Sequence, residues 1–248
     1  MNPMSATPVE PKPLVPLWDV LLRVRQDILG RASGPYLYIG TPDVEWMTCF
    51  VLGYVECLRS SGVDEGADVL FGEWLRDVKK AWPGEGWAAA CLRESHGDQT
   101  RALLTFLEAV AEFRALPPEA LARIPWHGGG AHPATALPSW RPTQKPPSTL
   151  DLLLGIRREI GDVPGRLSLF IGAVDVRRMA GFVDGYRLCL ALGGARDEEY
   201  ARFERWLHEA RALPAGEPWP RPLLAACGGD SERAIRRLLD LAAEFQTP

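Results

Sequence analysis

The sequence predicts an all-α protein made of two homologous five-helix modules in tandem. Three observations predict it: an internal repeat at a fixed offset, apolar residues at helical spacing within each copy, and cap residues at the ends of those runs. The repeat comes first. "PYLYIG" at 35–40 and "LSLFIG" at 167–172 are each followed by a Gly-Tyr pair, Gly53-Tyr54 and Gly185-Tyr186, at an offset of 132. The same offset links Cys57 to Cys189, Phe71 to Phe203, Trp74-Leu75 to Trp206-Leu207, Trp87 to Trp219 and Gly97-Asp98 to Gly229-Asp230. Residues 18–113 therefore align with 150–245 without a gap, at about a third identity. That period is too long for a solenoid unit, so each copy is expected to be a small domain. A duplicated homodimer would pack its two copies about a pseudo-two-fold axis.

Within the first copy, 17–29 places Leu17, Val20, Leu21, Val24 and Ile28 on one helical face. "YLYI" is β-prone and is expected to be a short extended segment, closed by Gly40 with positive φ. A second helix is expected to begin with Thr41 as N-cap and Pro42 at its first position, and to stop at Gly62. Val44, Met47, Val51, Tyr54, Val55 and Leu58 form one of its faces, and Trp46, Phe50, Gly53 and Cys57 an adjacent stripe. A helix apolar on two sides is packed on two sides, so this one should be central. Gly53 and Gly185, each costing ~1 kcal/mol relative to Ala in mid-helix, imply a neighbouring backbone close by. A third helix should bury Phe71, Trp74, Leu75 and Val78 and leave Glu73 and Asp77 exposed at i, i+4. In the second copy Trp206 is the expected core counterpart of Trp74. "GWAAACLRES" is a short fourth helix, and Asp98 and Asp230 cap the fifth of each copy.

The expected boundaries are a disordered leader 1–14, module one 15–116, a Pro/Gly-rich linker 117–148 and module two 149–248. The linker reading rests on eight prolines and Gly128, Gly129 and Gly130 within 114–148. No apolar run reaches the ~20 residues of a membrane span, and no secretory leader is visible. Cys49, Cys57, Cys91, Cys189 and Cys227 form no C-x-x-C pair. An odd count without framework spacing points to reduced thiols and the cytoplasm.

Net charge is −4. Residues 18–113 carry 9 Lys/Arg against 15 Asp/Glu, hence −6, and residues 150–245 carry 14 against 15, hence −1. Neither half has the basic excess that nucleic-acid binding requires; a basic protein suits the first half better.

Catalytic motifs are incomplete. "YIG" is similar to a phosphate-proximal motif of type II topoisomerase ATPases, but the Glu/Asn helix and Gly-rich lid are missing. "HGGGAH" at 127–132 resembles the oxyanion-hole tetrapeptide of lipases, but no G-x-S-x-G elbow accompanies it. No histidine recurs between the copies: His96 aligns with Gly228 and His208 with Arg76. Of the shared polar residues, Arg25, Arg101 and Glu112 are expected to tie first and last helices together. No catalytic, metal or cofactor residue is assigned.

The whole pattern is "YIG", an apolar helix with Gly-Tyr, "FxxWL", Trp, then "GD" opening a helix that ends "EF". It resembles small uncharacterised bacterial helical proteins of about one module, some associated with toxin–immunity loci. The resemblance implies an interaction role. Small acidic helical modules without catalytic groups, diverged in charge, make the expected function a non-catalytic protein-binding module, a cytoplasmic immunity protein that occludes a toxin. The alternatives are a carboxylate-dependent enzyme with a site between the repeats, and a structural or regulatory scaffold. The acidic positions Asp64, Glu65, Asp68, Glu73 and Asp77, with Trp46 as a surface aromatic anchor replaced by Arg178 in the second copy, form the expected docking face for a basic protein. The chain is expected to be a monomeric internal pseudo-dimer, off the membrane.

Overall fold

The computed structural model describes residues 13–30, 43–63, 66–80, 86–129, 132–133, 140–163, 165–210, 213–214 and 217–247, and of 67 and 68 the backbone alone. Among the described residues all regular structure is helical. The first half holds α1 (Leu17–Gly30), α2 (Val44–Ser60), α3 (Ala67–Glu73) continued by a π-helical turn (Trp74–Val78), α4 (Trp87–Glu94) and α5 (Gln99–Arg114). After α6 (Pro118–Leu121) come α7 (Thr149–Ile160), α8 (Ser168–Ile171), α9 (Val176–Leu192), α10 (Glu198–Ala210), α11 (Pro220–Ala226) and α12 (Ser231–Gln246). Apart from α6 and α8, the helices recur in the same order 132 residues apart.

Local chemistry recurs with them. Asp98 and Asp230 accept from the N–H of Arg101 and Arg233, as the cap reading expects. Asp43 and Asp175 cap α2 and α9. Thr41 and Pro42 lie outside the described residues, and the residue that caps α2 is Asp43, two positions on. The hydroxyl of Tyr54 donates to the Val15 carbonyl at 2.7 Å, and that of Tyr186 to Pro147 at 3.0 Å. Each holds the chain entering its half against that half's central helix. Arg25 bridges α1 to Glu108 of α5, and Arg157 bridges α7 to Asp240 of α12. The first-to-last tie thus exists, but through Glu108; Glu112 pairs with Lys79 instead.

The core among the described residues is two large apolar clusters joined along α2 and α9, with a small third of Val44, Ala88 and Ala102. Tyr186, Cys189 and Leu190 of α9 belong to the cluster of the first half, and Cys49 of α2 to that of the second. Glycines set the distance. A Cβ on Gly53 would lie 1.9 Å from the Phe182 carbonyl oxygen, and one on Gly185 2.0 Å from that of Phe50. Gly181 meets the Trp46 carbonyl in the same way, at 2.2 Å. The close backbone expected at these glycines is the facing central helix.

Several expectations are corrected. "PYLYIG" lies outside the described residues, but "LSLFIG" is not extended. Leu167 and Ile171 are fully buried, and the N–H groups of Ile171 and Gly172 bond back to Leu167 and Ser168. With no strand beside it among the described residues, so short a segment satisfies its backbone by turning. Gly172 does take positive φ, +68°. The segment between the halves is also no free tether where it is described. Ile124 is buried, Trp126 and Trp140 pack on the first core, and the N–H of Thr143 donates to the Ser61 carbonyl at 2.9 Å.

Candidate functional site

Two of the residues expected on the docking face, Trp46 and Glu73, are buried. Trp46 is 9% exposed, stacks on Phe50 with centroids 5.0 Å apart, and donates its indole N–H to Asp184 Oδ2 at 3.2 Å. Its counterpart Arg178 is also mostly covered, reaching the Glu45 carboxylate and the Ile171 carbonyl. A Trp-to-Arg difference therefore does not mark a surface here. Both side chains lie in the seam between the halves, one as a ring and one as a paired charge.

Glu73 is 5% exposed and accepts the His127 backbone N–H on both oxygens, at 3.1 and 3.0 Å. The chain at His127 covers Glu73 from outside the helix, and a π-helical turn follows that residue. Lys79 N–H bonds to the Trp74 carbonyl five residues back, which rotates the helix out of α register. Val78 is 51% exposed while Trp74 stays buried, and Ala210 at the matching end of the regular α10 is exposed as well. In the regular α10, Arg205 at the place of Glu73 is exposed, and Trp206 is only half-buried, less of an anchor than expected. Asp77 takes the Arg76 guanidinium at 3.1 and 3.0 Å and the His127 ring at 3.2 Å. Arg76 holds its carboxyl below the usual range. Asp64 and Glu65 lie outside the described residues, as does the side chain of Asp68.

Polar groups gather elsewhere. A pocket of about 500 Å³ opens between α9, α10 and the start of α11, with Asp184, Arg187, Glu204 and His208 among its lining. Arg187 forks onto Glu204 at 3.0 and 3.2 Å, and its guanidinium carbon lies 4.4 Å from the centre of the Tyr200 ring. Burial pushes the Asp184 carboxyl up to about 6, against the opposing pull of Arg187 and the Trp46 indole. Burial also raises Glu204 and, strongly, Tyr200. The first half has no equivalent: Leu52, Val55, Gly72 and Arg76 stand where Asp184, Arg187, Glu204 and His208 stand in the second.

The sequence carried a signal for this site. On the central helix, one apolar residue and another three positions on become Asp and Arg in the second copy, on a helix otherwise packed on two sides. The arrangement can bind a charged group or exchange a proton near neutral pH. Among the described residues, no three His, Cys, Asp or Glu side chains are gathered to hold a metal, and no helix is long and apolar enough to cross a membrane. Comparison with protein-family models, curated proteins and solved structures finds no match for this chain.

Proposed function

We propose that this chain is a non-catalytic protein-binding module: two copies of one five-helix unit, duplicated, fused and packed about a pseudo-two-fold axis. In this reading it acts in the cytoplasm as an immunity protein, neutralising a basic bacterial toxin domain by occlusion. One observation carries it: polar side chains that the copies share are spent on the scaffold. Asp43, Asp98 and their partners cap helices, the Tyr54 and Tyr186 hydroxyls pin the incoming chain, and Arg25 and Arg157 tie first helix to last. What was copied is a framework, which leaves recognition to the divergent surface. The reciprocal contacts of Gly53 with Phe182 and Gly185 with Phe50 support the two-fold relation. Docking falls on the first half, where the sequence is most acidic, with Asp64, Glu65, Asp68 and Asp77 as its acidic positions. Trp46 and Glu73 are spent in the interior. Steering by that charge favours a basic partner.

The test is co-expression with the basic protein encoded beside it, together with titration calorimetry. The expected result is restored growth and a one-to-one complex whose association slows with salt. No complex at micromolar concentrations, with growth still arrested, refutes the reading. A second reading, carboxylate catalysis, is favoured by the pocket around Asp184 and Glu204. Dose separates the two, since a chain supplied at a tenth of the toxin protects fully only if it turns over.

A further inference from the structure

The geometry points to a receptor for one cationic nitrogen group, a guanidinium or a primary ammonium, in the pocket between α9, α10 and the start of α11, with Asp184 as its counter-ion. Its volume, about 500 Å³, lies in the range of small-ligand sites. Most of its polar groups are already engaged. Glu204 holds both forks of Arg187, Glu217 pairs with Arg221 at 3.3 Å, and the His208 ring is hydrogen-bonded to the Leu213 carbonyl at 3.3 Å.

Asp184 is the exception. A carboxylate offers about four acceptor positions, and the described structure fills one, with the Trp46 indole N–H on Oδ2. Among the described residues it forms no ion pair. Burial is what raises its carboxyl. The nearby Arg187 opposes that rise but spends its hydrogen bonds on Glu204, which leaves Asp184 a partly buried carboxylate with no cation bonded to it, a costly state. Trp219, buried beside Pro218 and Pro220, gives an apolar wall against which a methylene stem can lie. Arg205, the lining cation with no described ion pair, is exposed, so its repulsion is screened by water. The site belongs to the second half alone, because Leu52 occupies the matching place in the first. In the protein-binding reading the cation is a lysine or arginine side chain of the basic partner. The pocket's chemistry stands without that reading.

Trp46 supplies the readout, since its indole N–H touches the proposed counter-ion. The 15N-labelled full chain would be titrated with ethylguanidinium and with its neutral analogue ethylurea. Ethylguanidinium is expected to move the Trp46 indole resonance saturably, and ethylurea to leave it in place. Asp184→Asn should weaken binding at least about tenfold, the loss of a charge-assisted hydrogen bond, while Arg205→Gln retains it. N-acetyl-arginine amide and agmatine distinguish the sources: binding of the capped residue assigns a protein side chain, binding of agmatine alone a free amine. Equal response to ethylurea, a drift without saturation, or an unchanged titration in Asp184→Asn overturns the proposal. Cation binding to the wild type, with the toxin complex indifferent to Asp184→Asn, keeps the receptor and separates it from the docking face.

Discussion

Replacing Gly53 with alanine puts one methyl group where the Phe182 carbonyl oxygen already sits. The new Cβ would stand 1.9 Å from that oxygen, whereas a carbon and a carbonyl oxygen approach no closer than about 3.3 Å even in favourable contact. The obstacle is backbone, so no rotamer relieves it, and α2 and α9 must part by more than about 1 Å. A gap of that size forfeits a quarter to a half of each dispersion contact along the seam. Overpacking of this kind costs ~1–3 kcal/mol or more, and alanine returns about 1 kcal/mol of helix propensity. The net loss is about 2 kcal/mol, or roughly 4–8 °C in Tm for a chain of this size. Gly155 is the control, since it lies within α7 with nothing within 4 Å of an added Cβ. Gly155→Ala should gain up to ~1 kcal/mol. Thermal unfolding followed by circular dichroism reads both. A Gly53→Ala chain as stable as Gly155→Ala would refute the seam.

Other expectations follow from the same contacts. Trp74→Ala should cost ~3–5 kcal/mol in denaturant unfolding, and Trp206→Ala clearly less, because its ring is only half-buried; equal losses would contradict the π-helical register. Tyr54→Phe removes the hydrogen bond to Val15 and should cost about 1 kcal/mol by the same measure. Burial pushes the Asp184 carboxyl up to about 6 from the usual carboxylate range, so the folded state binds its proton more tightly and stability falls as pH rises from about 4 to 6. Asp184→Asn should flatten that fall, and an unchanged pH profile of Tm would contradict the placement of Asp184. Burial pushes the Cys49 thiol up to about 12 and Cys91 up to about 11; both should resist iodoacetamide at pH 8 in the native chain and react once it is unfolded.

The helices and the closeness at Gly53 and Gly185 were legible because periodicity and a repeated, locally unfavourable glycine are both written in the chain. Asp98 and Asp230 were legible as caps for the same reason. The side of the third helix was not. Val78 ends exposed, as Ala210 does in the second half, and Glu73 is covered by the chain at His127, a contact from outside the helix that α-helical spacing cannot anticipate. Trp46 misled because it faces α9 of the other half, so it is buried by tertiary structure alone. The Asp184 pocket needed α9, α10 and the start of α11 brought together, although the change from Leu52 and Val55 to Asp184 and Arg187 pointed to it.

The most direct test of a fused pseudo-dimer is the second half alone, residues 140–247, in sedimentation equilibrium. Two such copies packed as α2 packs on α9 would set Gly185 of each against Phe182 of the other. Arg178, at the place of Trp46, would then face Asp184 across the seam. A fused pseudo-dimer should yield a folded dimer at micromolar concentration that Gly185→Val disrupts. A folded monomer at every concentration, or a dimer indifferent to Gly185→Val, would contradict it.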